Sequence, residues 1–225
     1  MTAILERGTR FKPARTCGDD GVDAGREPIQ MGWYALAGSL VKGMSVLDVG
    51  CGMGEGMVEL ARHASSVSGI DMDDRLRRSD LDIQVKNITE VPDKSYDAIV
   101  CVDVIEHVER DAEFVGQLVR VARKRVFVST PNYALGLNRW PYHYREYTPR
   151  QLGALLEPYG TIRVFGGVQT GETTLEIQNR SHYYMLCDMY GYYGANYLAK
   201  VLRRISSTRI WQHQAVVLDI APGRR

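Results

Sequence analysis

A run of closely spaced glycines follows an aspartate early in the regular part of the chain. Residues 46–56 read VLDVGCGMGEG, in which Asp48 precedes Gly50, Gly52 and Gly54 at every second position. Glycine permits positive φ angles and lets a ligand approach the backbone without an intervening Cβ, and the helix predicted to follow offers unpaired N–H groups. The spacing differs from G-x-G-x-x-G, and no Gly-Lys-Ser/Thr of a Walker loop is present. The pattern therefore predicts a ligand-binding loop that is neither a dinucleotide fingerprint nor a P-loop.

Two acids and a histidine come directly after the predicted fourth strand, as Asp103-Val-Ile-Glu106-His107. If a helical turn begins there, these side chains fall at i, i+3 and i+4 on one face. Carboxylates and an imidazole in this arrangement form a site for a divalent cation such as Mg²⁺ or Mn²⁺. His143, which follows the fifth strand, is predicted to return to the same edge of the sheet. The candidate metal ligands are therefore Asp103, Glu106, His107 and His143.

Two other roles stay open for the same residues. Either His107 or His143 is a candidate catalytic base, because imidazole titrates near neutral pH. Alternatively, Glu106 caps a turn, His107 only packs, and His143 shapes the site from a loop. The remaining histidines fall outside any motif: His63, His182 and His213.

The elements that must position these residues alternate between short β-branched runs and longer amphipathic segments. Apolar runs such as residues 98–102 suit strands covered on both faces, and the alternation implies right-handed βαβ units in an open, doubly wound parallel sheet. The predicted strands are Ser45–Val49, Ser66–Asp71, Leu81–Val85, Ala98–Val102, Arg125–Ser129, Ile162–Phe165 and Ala215–Ile220. The predicted helices are Met31–Val41, Glu55–Ala64, Asp111–Arg123 and one whose N-cap is Thr148.

One domain with an insertion accounts for the 225 residues. Residues 1–30 are predicted to be a loosely ordered lead-in, residues 31–225 the domain, and residues 166–212 the insertion. A net charge of +1 provides no global field that would attract nucleic acid or a membrane surface. The four cysteines lack any C-x-x-C spacing, which disfavours zinc ribbons and disulfide scaffolds. No apolar run approaches the roughly 20 residues of a membrane span, so the sequence predicts a soluble, cytoplasmic protein.

Over roughly residues 40 to 165 the chain resembles the class I S-adenosylmethionine (SAM) dependent methyltransferases. The resemblance implies an α/β, Rossmann-like, mostly parallel sheet with helices on both faces, an antiparallel last strand and a helical insertion before it. It also implies SAM as the cofactor, with the glycine loop at the methionine end, Asp71 on the ribose and Met72 on the adenine. The implied cofactor-binding residues are Asp48, Gly50, Gly52, Gly54, Asp71, Met72, Asn87, Ile88 and Asp103.

The Asp-x-x-Glu-His segment and the later histidine resemble two methyltransferase groups. One comprises the metal-dependent 2′-O-methyltransferases of small-RNA 3′ ends, and the other the ubiquinone-biosynthesis O-methyltransferases. Both carry a similar acid-x-x-Glu-His segment, although the first acid here is the shorter Asp103.

Aromatic and basic residues late in the chain bear on the acceptor and on partners. A stripe of residues recurs at helical spacing, which favours core or a homodimer interface over a substrate surface: Tyr183, Leu186, Tyr190, Tyr193 and Tyr197. Residues 200–209 are basic and could contact phosphate or RNA, but a solvated face is the usual meaning of such a run.

The sequence therefore predicts an enzyme that transfers a methyl group from SAM to an oxygen, or a nitrogen, of a small molecule or sugar. A metal-dependent RNA 3′-end 2′-O-methyltransferase is the first alternative. A non-catalytic SAM-binding module is the second.

Overall fold

The structure is a computed structural model that describes residues 25–73, 75, 78–133, 143–193 and 210–221. The helices are α1 (Pro28–Leu40), α2 (Glu55–Ala61), α3 (Asp111–Val121), α4 (Pro149–Leu156) and α5 (Arg180–Tyr193). The strands are β1 (Ser45–Val49), β2 (Ser66–Asp71), β3 (Ile83–Val85), β4 (Tyr96–Val102), β5 (Ala122–Pro131), β6 (Gly160–Gly167), β7 (Thr174–Glu176) and β8 (His213–Ile220). Short 3₁₀ helices cover Ile88–Glu90, Ile105–His107 and Glu157–Tyr159.

The described strands form one open sheet in the order β3-β2-β1-β4-β5-β8-β6-β7. The strands from β3 to β5 pair in parallel, whereas β8 runs antiparallel to both β5 and β6, and β7 antiparallel to β6. The predicted mostly parallel sheet with an antiparallel last strand is therefore confirmed. Because β1 lies between β2 and β4, the strand order reverses there, and in open α/β sheets such a point opens a ligand crevice at the carboxyl edge.

Helix α1 begins three residues earlier than the sequence predicts, at Pro28, inside the stretch expected to be a lead-in. Glu27 and Gln30 form a capping box, and Pro28 occupies the first turn, where its missing N–H costs nothing. Trp33 and Tyr34 on this helix are fully buried against the sheet. The remainder of the predicted lead-in, residues 1–24, lies outside the described residues.

The boundary between α3 and β5 also differs from the prediction. The helix ends at Val121 instead of Arg123, and the strand begins at Ala122 instead of Arg125. Charged residues fill the start of the strand because they form ion pairs with neighbouring strands: Arg123 with Asp97, Lys124 with Asp97, and Arg125 with Asp219. The helical spacing of apolar residues in α3 continues into the charged start of β5, so the sequence pattern did not show where the helix ends.

The predicted insertion contains α5, in agreement with the helical spacing of its tyrosines, and the short edge strand β7, which the sequence did not predict. Tyr183 is fully buried and Leu186 nearly so, which places this part of the tyrosine stripe in the core of the monomer. The side chains of Tyr190 and Tyr193, the whole of Tyr197 and the basic residues 200–209 lie outside the described part of the chain.

Two hydrophobic layers, one on each face of the sheet, hold these elements together. One layer joins β1, β4 and β5 to α3, α4 and α5, and the other joins the same strands to α1 and Leu60 of α2. Burial of both faces fixes the carboxyl ends of β1, β2, β4 and β5 at one edge, where the predicted site residues lie.

Candidate functional site

The glycine loop leaves β1 in the conformation that its sequence predicts. The φ angles of Gly50, Gly52 and Gly54 are 76°, 57° and 83°, all in the left-handed region that L side chains rarely adopt. A Cβ on Gly50 would approach Val104 to 2.5 Å, and one on Gly52 would approach Arg26 Nη2 to 3.2 Å. The loop backbone therefore lies close to its neighbours, and its own amides hold its shape: those of Gly50 and Cys51 donate to the carbonyl of Ile70.

Asp48 is completely buried beneath this loop. The Tyr34 hydroxyl lies 3.1 Å from Asp48 Oδ1 and 3.0 Å from Oδ2, and donates to the carboxylate. Burial raises the pKa of Asp48 to about 7, although the nearby Arg26 cation and the Tyr34 hydrogen bond both act to lower it. An extra positive charge at this position would stabilise the ionised carboxylate.

Arg26, which the sequence motifs did not predict as a site residue, closes the loop from the other side. Its Nη2 donates to the carbonyl oxygen of Gly50 at 2.7 Å, and its guanidinium lies 5.5 Å from the centre of the Tyr34 ring. Asp48 and Asp103 are both close enough to stabilise its positive charge. The capping box that begins α1 one residue later fixes the backbone here, and the Glu27-Pro28 pair was the signal that could have located it.

Asp71 connects the ends of β1 and β2. Its Oδ2 accepts a hydrogen bond from the amide of Gly52 at 3.0 Å, and its Oδ1 accepts one from the amide of Asp73 at 3.1 Å. A carboxylate held by two backbone amides is preorganised to accept hydrogen bonds from a diol on its remaining lone pairs.

A cleft of about 370 Å³ opens beside Asp71, a volume that includes its open mouth. Its lining is almost entirely apolar and comprises Val49, Gly50, Ile70, Asp71, Met72, Lys86, Asn87, Ile88, Val108 and Phe114. Met72 is exposed, with 45% of its surface accessible, and Asn87 caps the 3₁₀ helix that begins at Ile88. The sequence predicted four of these residues as adenine or ribose contacts, but it did not identify Val108 or Phe114 as part of the site. A flat heteroaromatic group with few polar atoms matches such a lining.

Glu106, His107 and His143 come together at the end of β4, with one potential ligand atom each and all three atoms within 4.8 Å of one another. Glu106 and His107 are buried, and the imidazole rings of His107 and His143 meet edge to face at 4.8 Å between centroids. The Thr130 hydroxyl donates to Glu106 Oε2 at 3.0 Å. Burial and the negative charge of Asp103 raise the pKa of Glu106 well above its usual range.

Asp103 lies beside this trio rather than within it. Its φ angle of 53° turns the chain before the 3₁₀ helix starts at Ile105, so the three residues do not share one helical turn as the spacing predicted. Ser129 holds the carboxylate through a 2.7 Å hydrogen bond from its hydroxyl to Oδ1. In this position Asp103 faces the Arg26 side of the site.

The segment that carries His143 is anchored by contacts that the sequence did not reveal. The amide of Tyr144 donates to the carbonyl of Glu106 at 2.8 Å, and His143 Nδ1 lies 3.0 Å from Glu146 Oε1. The Asp111 carboxylate, at the start of α3, accepts hydrogen bonds from Arg145 and from the Tyr147 hydroxyl. His143 is therefore fixed relative to Glu106 by backbone and side-chain bonds on both sides.

Residues 29–162 match a family described as a methyltransferase domain, and the chain belongs to that family. A probable SAM-dependent methyltransferase of Mycolicibacterium smegmatis is 39% identical over 152 residues, which cover 58% of each chain. A ubiquinone biosynthesis O-methyltransferase of Klebsiella pneumoniae is 31% identical over 120 residues, which cover 47% of this chain and 50% of the relative. The chain thus spans about half the length of the curated relatives that it matches.

The fold has solved counterparts. A crystal structure from Thermotoga maritima, described as a SAM-dependent methyltransferase and possible histamine N-methyltransferase, aligns with a TM-score of 0.60 over 85% of this chain and 89% of that one. Sequence identity between the two is 11%, so the likeness shows the fold alone. Among the described helices, none combines the length and hydropathy that crossing a membrane requires.

Proposed function

We propose that the protein transfers a methyl group from SAM to an oxygen, or a nitrogen, of a small molecule or sugar. The observation that supports this proposal is the arrangement of three groups of residues along one edge of the sheet. The charged residues Arg26 and Asp48 at the glycine loop, the apolar cleft beside Asp71 and the histidine–carboxylate cluster all lie along it. These three parts match the amino acid end, the adenosine and the reacting methyl of the cofactor.

At the methionine end, Arg26 binds the cofactor carboxylate, because its guanidinium is fixed at the glycine loop by the carbonyl of Gly50 and a charged donor binds a carboxylate strongly. Asp48 and Asp103 provide the negative charge that suits the cofactor's ammonium group. Gly50, Gly52 and Gly54 leave room for both groups to approach the backbone.

At the other end, Asp71 accepts hydrogen bonds from the ribose hydroxyls. Met72, Ile88, Val108 and Phe114 pack on the adenine ring, while Asn87 contacts its polar edge. Apolar packing on both faces of a purine explains why the cleft has so little polar surface.

On the reaction side, methyl transfer requires an in-line alignment of acceptor, methyl carbon and sulfur, and for a hydroxyl acceptor it also requires removal of a proton. Alignment contributes up to roughly 7–11 kcal/mol in favourable cases, and a positioned base contributes about 10²–10⁴-fold. His107 and His143 are the proposed bases, and Glu146 orients His143 through Nδ1. The buried setting of Glu106 excludes water from the same region.

A metal-dependent reaction is the second candidate, and the donor set of Glu106, His107 and His143 favours it. One carboxylate and two imidazoles within 4.8 Å of one another fit a divalent ion such as Mn²⁺. A bound ion would lower the pKa of an acceptor hydroxyl. Asp103 lies outside this donor set, and its Oδ1 accepts a hydrogen bond from the Ser129 hydroxyl. The terminal ribose of an RNA belongs among the acceptors to test in this case.

Calorimetric titration with SAM and S-adenosylhomocysteine tests cofactor binding, and transfer of radiolabelled methyl to phenol, sugar, amine and RNA pools tests turnover. Transfer that EDTA does not affect supports the base mechanism with a small acceptor. Transfer that EDTA abolishes and Mn²⁺ restores supports the second candidate. Binding without transfer to any pool would leave a non-catalytic SAM-binding module. Homodimer formation and cytoplasmic location stay predictions of the sequence.

A further inference from the structure

Within the described part of the chain, His213 at the start of β8 has one ring nitrogen in a hydrogen bond and one without a partner. Only 7% of its surface is exposed. Its Nε2 lies 2.8 Å from Gln169 Oε1, whereas its Nδ1 is buried and has no hydrogen-bond partner in the described structure. Buried polar atoms are nearly always paired, and each exception in a folded protein requires an explanation.

The contacts around Gln169 determine which nitrogen of His213 carries the proton. Gln169 Nε2 donates to Glu27 Oε2 at 2.7 Å, and an ionised carboxylate can only accept. The amide oxygen of Gln169 must therefore face His213, where it accepts from the Nε2–H of the ring. In the neutral imidazole, Nδ1 is then left as an acceptor with a free lone pair.

The strand register places His213 at the edge of the sheet that carries the proposed cofactor site, on the same face as Ser129. His213 pairs with Pro131 of β5, and Ala215 pairs with Ser129. Because side chains alternate along a strand, His213 and Ser129 point to the same face as diagonal neighbours, at about 7–8 Å. Ser129 is the residue that holds Asp103.

A second unpartnered polar atom lies on this face. Trp33 Nε1 is buried without a hydrogen-bond partner among the described residues. The Trp33 ring packs against Gly167, the residue paired with His213 on β6: a Cβ on Gly167 would meet Trp33 Cζ2 at 2.8 Å. This face therefore offers one acceptor and one donor, both unused.

We propose that His213 binds the methyl acceptor and that its Nδ1 accepts a hydrogen bond from a hydroxyl group of that substrate. A hydroxyl is the simplest group to complement this face, because it donates to an imidazole nitrogen and accepts from an indole N–H. Phosphate and carboxylate groups, which only accept, do not complement the Nδ1 lone pair. The inference rests on the proposed function and narrows its acceptor class to alcohols and phenols.

The first test is ¹⁵N NMR of the histidine side chains in the full chain saturated with S-adenosylhomocysteine. Phenol and methyl β-D-glucopyranoside serve as the hydroxyl probes. We expect Nε2 to be protonated, Nδ1 to be unprotonated, and at least one probe to shift the Nδ1 resonance as a hydrogen bond forms. A proton on Nδ1, or no response of Nδ1 to either probe, overturns the assignment.

Two variants of His213 separate the roles of its nitrogens. His213→Gln keeps a donor toward Gln169 but removes the acceptor at Nδ1, and should weaken binding of the responsive probe about fivefold to tenfold. His213→Asn places an amide oxygen near Nδ1 and should retain binding within about twofold. His182→Gln, a substitution on α5, is the control. Equal probe binding by both His213 variants contradicts the inference.

Cofactor titrations keep this test distinct from that of the proposed function. Wild-type protein that fails to bind S-adenosylhomocysteine would refute the proposed function itself. Wild-type protein that binds it, with His213→Gln binding both cofactor and probe as well as wild type, would refute only the role of His213.

Discussion

Arg26 is the residue whose role depends most on tertiary contacts. It lies in a polar stretch without periodicity, and only the folded chain brings its guanidinium to the carbonyl of Gly50 and near Asp48. A guanidinium fixed at this loop offers a carboxylate both charge and directed hydrogen bonds. Arg26 thus explains how a loop of glycines, which has no charge of its own, could select the amino acid end of SAM.

Replacing Arg26 should weaken cofactor binding. Arg26→Gln removes the charge that the proposed site presents to the cofactor carboxylate, so calorimetry should show affinity for S-adenosylhomocysteine lowered by roughly 10–100-fold, the scale of a charged hydrogen bond. Arg62→Gln is the matched control, since Arg62 is exposed on the surface and pairs with Glu59 three residues away. Unchanged affinity in Arg26→Gln would show that the carboxylate binds elsewhere.

Asp71 should contribute a similar amount to the free energy of cofactor binding, through the ribose. Asp71→Ala removes the acceptor that the amides of Gly52 and Asp73 orient, and we expect a loss of roughly 1.5–3 kcal/mol in cofactor binding free energy by calorimetry. Asp73→Ala, two residues on, removes a carboxylate that pairs with Arg75 instead. Equal losses from the two substitutions would argue against a specific ribose contact.

Among the elements, the start of α3 and the segment 143–148 act as one unit. Asp111 joins them through Arg145 and Tyr147, and the amides of Tyr144 and Arg145 donate to the carbonyl of Glu106. The position of His143 therefore depends on a carboxylate that need not touch any substrate.

Asp111→Asn should loosen this segment without affecting the cofactor. Loss of the charged contact to Arg145 should speed amide hydrogen exchange at Tyr144 and Arg145 about tenfold and lower turnover, while affinity for S-adenosylhomocysteine stays the same. Glu113→Gln, an exposed acid in the same turn of α3, is the control. Exchange rates equal to those of wild type would show that the backbone bonds alone hold the segment.

An element could be predicted from the sequence when the residues that determine its conformation are close together in the chain. The glycine loop and the Thr148 cap are determined by residues that are adjacent in sequence. The loop, the strand before it and the start of α4 therefore match the prediction. Strand β7 forms because it pairs with β6. The start of β5 is stabilised by ion pairs with strands that are distant in sequence. Arg26, Asp111 and the orientation of His213 depend on contacts far apart in sequence, which spacing within one segment does not encode.

At the scale of the whole molecule, Asp48 links the site to the stability of the fold. Burial raises its pKa from 3.8 to about 7, so the folded state favours the protonated form. Its contribution to stability is therefore fully present below about pH 4 and is lost as the pH rises to about 7.

Asp48→Asn should remove this pH dependence from the cofactor-free protein. Relative to the variant, wild type should lose free energy of unfolding as the pH rises from about 4 to about 8, by an amount on the order of a few kcal/mol. Denaturant titrations of both proteins at several pH values measure the difference directly and cancel the contributions of other groups. A difference that does not vary with pH would mean that Asp48 stays ionised throughout.

The central claim is that one edge of the sheet binds SAM in a single orientation. A crystal structure of the protein grown with S-adenosylhomocysteine tests it most directly. We expect adenine between Met72 and Phe114, ribose hydroxyls on Asp71 and the carboxylate on Arg26. A ligand bound away from these residues, or a cleft that stays closed at saturating concentration, would contradict it.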